Sequence, residues 1–294
     1  MRTIIPIVST ILLLFGSGAL TGNMAARDIV PTRKEIRVTT PGSLYRICKM
    51  TFDGVDTNAE FGEEVWTGIK TLKISGDIDA RDFSTIKWNL RGVETVDLSE
   101  ATIAGYEGEY GTNEGYFDGG EYSRYPKNTI PIGAFFYWMG NQIREFPMEF
   151  YDEGVHSTKR IILPVGITRI GRNAFARNYN LKEINIPEGV TAIEMVAFRY
   201  CTSIEVLYLP ESLSSIGYLA FTDMYSLREV HIKAHTAPTT DNSFGDYPDG
   251  DTRGGVLLDN PDYMTSTGAR LYVPKGCRKN YEAWERYFQV IIEE

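Results

Sequence analysis

The residues of this chain best suited to metal chemistry are its three histidines, His156, His231 and His235. His231 and His235 are four apart, a spacing that converges on one zinc ion when it lies on a helix. Here His231 falls in a stretch with the apolar alternation of a strand, and His235 lies beyond its end, so no metal site is expected. Carboxylate pairs occur at Asp77 with Asp79 and at Asp249 with Asp251. In glycine-containing segments they read as solvated turn residues, with calcium as the chemical alternative. The stretch Asp246 to Asp251 lacks the distal glutamate of a helix-loop-helix calcium site. Neither Gly-x-Ser-x-Gly nor Gly-x-x-x-x-Gly-Lys occurs, so the sequence carries no hydrolase elbow and no phosphate-cradling loop. No catalytic residue, cofactor or metal is predicted.

Recognition chemistry is better represented. Tyr106, Tyr110, Tyr116, Tyr122 and Tyr125 are interleaved with Glu107, Glu109, Glu114, Asp118, Glu121 and several glycines. Exposed rings of this kind offer contact area for sugars or proteins, and the alternative is that the segment folds its tyrosines back on the body of the protein. The formal net charge is −9, and Arg2 is the lone charged residue ahead of Arg27. An acidic surface does not track phosphates, so nucleic acid and anionic membrane surfaces are excluded as partners.

The elements that would position such residues are set by a repeat. Leu163-Pro164, Ile186-Pro187 and Leu209-Pro210 follow one another at intervals of 23 residues. Ala174-Phe175, Ala197-Phe198 and Ala220-Phe221 keep that interval, with Ser243-Phe244 at the next step. Each unit reads apolar-x-x-apolar-x-apolar-Pro, as in Leu181, Ile184 and Ile186, then Ile204, Leu207 and Leu209, then Leu227, Val230 and Ile232, where Lys233 replaces the proline. The alternating pair is strand spacing, and proline closes the strand because it has no N–H to donate. The Ala-Phe phrase, half a unit away, is where a short helical or irregular turn returns the chain. One strand and one return cannot bury their own apolar side, whereas stacked coils can; the fold predicted is a solenoid. Ile69-x-x-Leu72-x-Ile74, Val93-x-x-Val96-x-Leu98, Ile143-x-x-Phe146-x-Met148, Thr158-x-x-Ile161-x-Leu163 and Leu271-x-Val273-Pro274 extend the pattern to about eight parallel strands.

This phrase resembles the BspA-type leucine-rich repeat proteins of bacterial surfaces. Ile170-Gly-Arg-Asn-Ala-Phe175 with Leu181-Lys-Glu-Ile-Asn-Ile-Pro187 is similar to their repeat, and Leu271-Tyr-Val-Pro-Lys-Gly276 with Tyr281 and Trp284 to their ending. The degenerate copies from Leu72-Lys-Ile-Ser-Gly76 to Val96-Asp-Leu-Ser99 are similar to their first repeats. The resemblance covers roughly residues 38–294. It implies an α/β leucine-rich-repeat solenoid with extracytoplasmic binding or adhesion and no enzymatic activity.

The organisation expected is a secretory leader over residues 1–26, an N-terminal cap over 27–68, a solenoid over 69–274 and a cap over 275–294. Insertions fall near 105–128, 149–158 and 245–267. The leader reading rests on Arg2, the short apolar run Ile4 to Phe15 and the small residues after it, with Ser17-Gly18-Ala19 and Met24-Ala25-Ala26 as the two cleavage sites offered; the run is shorter than the roughly 20 residues a membrane span needs. In the cap, Cys277 to Arg286 reads as a short helix with Tyr281 and Trp284 on one face, and Phe288, Val290 and Ile292 alternate as a final strand. Cys48, Cys201 and Cys277 fall in the first cap, a coil interior and the last cap, too far apart for an internal disulfide.

Stacking the coils places the third and fifth positions of each strand phrase in two outward columns. One holds Arg160, Glu183, Val206 and Glu229; the other holds Ile162, Asn185, Tyr208, His231 and Tyr272. Apolar and aromatic residues there exceed what packing requires, so this face, centred on Tyr208 and His231, is the candidate site for a protein or glycan partner of a monomeric, exported protein. A structural or self-assembling surface component is the alternative.

Overall fold

The structure is a computed structural model that describes residues 33–52, 55–58, 63–66, 68–90, 92–112, 124–136, 157–240, 243 and 268–294. The chain opens with strand β1 (Arg33–Val38), helix α1 (Leu44–Thr51) and the antiparallel hairpin β2 (Val55–Asn58) and β3 (Glu63–Trp66). Strand β4 (Thr71–Ile78), helix α2 (Ala80–Asn89) and strand β5 (Thr95–Ile103) follow, then the small hairpin β6 (Tyr106–Glu107) and β7 (Arg124–Tyr125). From there long and short strands alternate: β8 (Thr129–Ile130), β9 (Arg160–Ile162), β10 (Arg169–Ile170), β11 (Glu183–Asn185), β12 (Ala192–Ile193), β13 (Val206–Leu209) and β14 (Ser215–Ile216). The series closes with β15 (Glu229–Ile232), β16 (Thr239–Thr240), β17 (Arg270–Val273), a 3-10 helix over Arg278–Trp284 and β18 (Val290–Glu293).

Alternation separates these strands into two walls. The long strands form one wall, parallel throughout, as a five-stranded ladder β1-β4-β5-β9-β11 and a four-stranded ladder β13-β15-β17-β18. The two-residue strands form the other, in the order β8-β10-β12-β14-β16. Leu163, Leu209, Ile170, Ile193 and Ile216 meet between them, each at most 2% exposed. Pro164, Pro187 and Pro210 end their strands, and their carbonyls accept from the N–H of Ile167, Val190 and Leu213 to turn the chain across the coil. The fold is the solenoid that the period predicts, in the α/β leucine-rich-repeat form that the resemblance implies.

The Ala-Phe turns supply a second spine. Phe135, Phe175, Phe198 and Phe221 stack in a column with ring centroids 5.3, 5.0 and 5.3 Å apart. Their amides reach the next coil, Phe175 N–H donating to Ala197 O and Phe198 N–H to Ala220 O. Phe83 of α2 meets Phe135 edge-on at 6.0 Å, so the helix takes the place of an Ala-Phe turn in its own coil. Keeping the turn tight forces positive φ on two residues per coil: Asn173 and Arg177, Val196 and Tyr200, Leu219 and Asp223.

Four expectations are refined or corrected. Residues 143–148 lie outside the described residues, and β5 pairs directly with β9 through Thr95–Arg160 and Asp97–Ile162, which fills the place expected for them. The two long-strand ladders hold nine strands because β1 and β18, one in each end segment, join the wall. In β18 the inward residue is Ile291, not Val290 or Ile292: Ile291 pairs with core Leu271, and Val290 is 39% exposed. Finally, Asp79 is not a solvated turn residue. It is 1% exposed and caps α2, accepting from Arg81 N–H, while Asp82 reaches back to Asp79 N–H.

Cys48, Cys201 and Cys277 are all unpaired. Cys201 fills the slot held by Asn178 one coil earlier and Met224 one coil later, and its thiol donates to Phe175 O. Thiol titration of the unfolded chain is expected to count all three cysteines; a count of one would establish an internal bridge.

Candidate functional site

Register fixes the two outward columns. Arg160 pairs with Glu183 and Ile162 with Asn185 across β9 and β11. Val206 pairs with Glu229 and Tyr208 with His231 across β13 and β15, and His231 continues to Tyr272 on β17. All nine candidate residues therefore lie on the outer side of the long-strand wall, with the core residues between them pointing inward.

They divide into two groups. Hydrogen-bonded pairing is continuous within each ladder, and the boundary between the ladders falls between β11 and β13. Before it, the face is polar. Arg33 is paired with Glu35, Lys73 with Glu100, and Glu94 with both Lys70 and Lys159. Hydrogen bonds from those two ammonium groups hold the Glu94 carboxyl below the usual range. Arg160 Nε lies 3.2 Å from Glu183, and Asn185 Oδ1 accepts from Leu163 N–H, so Asn185 serves the backbone.

After the boundary the face is aromatic. Tyr208 and His231 stack at 4.9 Å with planes 21° apart, and His231 and Tyr272 at 4.3 Å and 5°. Tyr208 is 59% exposed and Val206 37%. His231 is fixed at both nitrogens, Nδ1 at 2.9 Å from Glu294 and Nε2 at 3.4 Å from Glu229, and Glu229 also takes the Arg270 guanidinium at 2.7 Å. The outcome is a rigid row of ring edges framed by paired charges. Such a row presents hydroxyl groups and apolar edges at little entropic cost on binding.

Arg270 and Glu294 escaped the sequence reading. Arg270 could have been found, since the phrase at Leu271 places it in the first column, opposite Glu229. Glu294 lies 63 residues from His231, and no local signal joins them. A second unread cluster lies on the turns: Arg199 pairs with Asp223 at 2.9 Å and covers the Tyr200 ring at 4.7 Å.

Of the described tyrosines in the insertion, Tyr106 and Tyr125 fold back on the body and Tyr110 does not. Tyr125 is 4% exposed and stacks with Tyr106, whose ring lies under the Arg81 guanidinium. Tyr110 is 82% exposed, and Tyr116 and Tyr122 lie outside the described residues, as do His156, Asp249 and Asp251. His231 and His235 do not converge: His231 stacks within the row, whereas His235 meets Cys277. Among the described residues no group of three or more His, Cys, Asp or Glu is placed to hold a metal ion, and no helix is long and apolar enough to cross a membrane.

Residues 149–248 match the BspA type leucine rich repeat region, in 6 copies. No curated protein matches the chain. Solved structures are similar to it, among them two of low sequence identity. One is a leucine rich repeat protein of T. pallidum, 20% identical with a TM-score of 0.33, over 47% of this chain and 57% of that one. The other is the pneumococcal vaccine antigen PcpA, 15% identical with a TM-score of 0.36, over 78% of this chain and 61% of that one. The chain thus spans less than two thirds of the length of either.

Proposed function

We propose that this chain, whose residues 149–248 are a BspA-type leucine-rich repeat region, is a non-catalytic binding protein that acts outside the cytoplasm and grips a protein or glycan on the outer face of its long-strand wall. Residues 1–26 serve as the export leader, and the segments 27–68 and 275–294 close the two ends of the solenoid. The observation that carries the reading is the row Tyr208–His231–Tyr272, stacked, aligned and outward on a face where burial does not call for rings. Extended strand faces are where repeat proteins commonly bind, and aromatic anchors carry much of an interface's energy. The polar half of the face, saturated with its own ion pairs, is the non-contacting flank.

Self-association is the weaker reading because each outer edge of the wall carries a charged residue at a core register position. Lys34 stands in register with core Leu72 and lies over the Phe52 ring; Glu293 stands in register with Val273. A charge on an edge strand opposes pairing with another chain, so the protein is a monomer.

The test is an array of glycans and extracellular proteins probed with residues 27–294. Changing Tyr208 and His231 together to Ala is expected to weaken the retained partner by roughly 1–3 kcal/mol. Unchanged affinity in a folded double variant sinks the assignment of this face.

A further inference from the structure

Cys277 differs from the other two thiols in its surroundings. Cys48 and Cys201 are 0% exposed, and burial pushes both thiols up, Cys48 to about 12 with the Asp82 carboxylate adding to the effect. Neither offers a thiolate, the form that reacts. Cys277 keeps 7% of its surface, and its Sγ lies 3.4 Å from Nδ1 of His235, an exposed residue on the turn that leaves β15.

The pair is held on both sides. Asn280 Nδ2 donates to the His235 carbonyl at 2.7 Å, and the Tyr281 hydroxyl donates to the carbonyl of Ala234. Turn and 3-10 helix are thereby tied into one body, with thiol and imidazole facing each other across the join. A thiol within hydrogen-bond reach of an imidazole is the arrangement in which a neighbouring base activates a sulfur nucleophile. An odd cysteine cannot be satisfied within the chain, and Cys48 and Cys201 are committed to the core.

We infer that Cys277 is a site of thiol–disulfide exchange with low-molecular-weight disulfides, His235 serving as its base. The thiol proton passes to His235 Nδ1, and Sγ attacks one sulfur of the external disulfide. A new S–S bond forms to Cys277 as the reagent's S–S bond breaks. The departing thiolate takes the proton back from the imidazolium, so one external sulfur is reduced to a thiol as Cys277 is oxidised. This site lies off the strand face and does not depend on the binding reading.

The folded full chain is to be treated with 2-hydroxyethyl disulfide and followed by intact mass and peptide mapping. One adduct per chain is expected, mapped to Cys277 and absent in Cys277→Ser. In His235→Asn the reaction should slow about tenfold or more at neutral pH and recover as pH rises, because the rate then follows the free thiolate alone. The proposal is overturned by no adduct on the folded chain, by an adduct on Cys48 or Cys201 instead, or by a His235→Asn rate and pH profile equal to the parent's. Unfolding declares itself by adducts on Cys48 and Cys201, three in all for His235→Asn and two for Cys277→Ser, and mapping on the parent chain stands without any variant.

Discussion

Phe198→Ala is expected to lower stability by about 3–5 kcal/mol, the range for emptying a fully buried aromatic site. Phe198 is 0% exposed and stands between Phe175 at 5.0 Å and Phe221 at 5.3 Å, so its removal leaves a void facing two rings. The coils above and below cannot close on it, because their separation is set by the strand ladders and by amide bonds such as Phe198 N–H to Ala220 O. Tyr208→Ala is the matched control. It also removes a ring from a stack, but a ring 59% exposed, so its cost should stay within about 1 kcal/mol. Urea unfolding of the two variants beside the parent measures the contrast. Equal losses would show that the inner column is no more than a surface-like stack.

Asp82→Ala is expected to cost about as much, roughly 3–5 kcal/mol, through a different mechanism. The Asp82 carboxylate is 0% exposed and accepts from three backbone N–H groups: Asp79 at 2.9 Å, Gly42 at 2.6 Å and Leu44 at 2.8 Å. One bond closes the start of α2; the other two hold the turn between β1 and α1, some forty residues away in sequence. Alanine leaves all three donors without a partner in a dry site. Asp82→Asn keeps one accepting oxygen and sets an NH2 against a donor, so its loss should fall between alanine and the parent. Burial raises the Asp82 carboxyl above the usual range despite its three donors. A carboxyl raised on folding favours the folded state more at low pH, and its share of stability declines as pH rises through the ordinary carboxylate range toward the folded value. Asp82→Ala should therefore lose that component of the pH profile as well. Hydrogen exchange is expected to place the damage in Arg33–Val38 and Leu44–Thr51, since repeat proteins open locally when one interface fails. A loss below about 1 kcal/mol, or one spread evenly over the coils, would contradict this account.

How far the sequence could be read follows from which signals are local. Ile184, Leu207 and Val230 recur every 23 residues, each in the same phrase, so strand, turn and outward positions could all be assigned from one unit. In β18 three apolar residues stand in a row, Val290, Ile291 and Ile292, and alternation cannot choose among them; pairing with Leu271 does. Ile143-x-x-Phe146-x-Met148 has the right phrase, yet its expected place in the wall is taken by the pairing of β5 with β9. Asp79 and Asp82 show both cases within one motif. Their spacing is that of a capping box, but the use of Asp82 by Gly42 and Leu44 depends on chain that precedes it by some forty residues.

The site divides along the same line. Period and alternation alone placed Tyr208, His231 and Tyr272 in one outward column, because a repeated strand phrase sends the same position to the same side of every coil. Distances of 4.9 and 4.3 Å between the rings, the charges that clamp His231 and the meeting of Cys277 with His235 came from the fold. Those contacts join residues one or more coils apart, and their geometry is set by strand spacing of about 4.8 Å, by ladder register and by how the last cap docks. No local pattern of residue types encodes a distance between segments that only folding brings together.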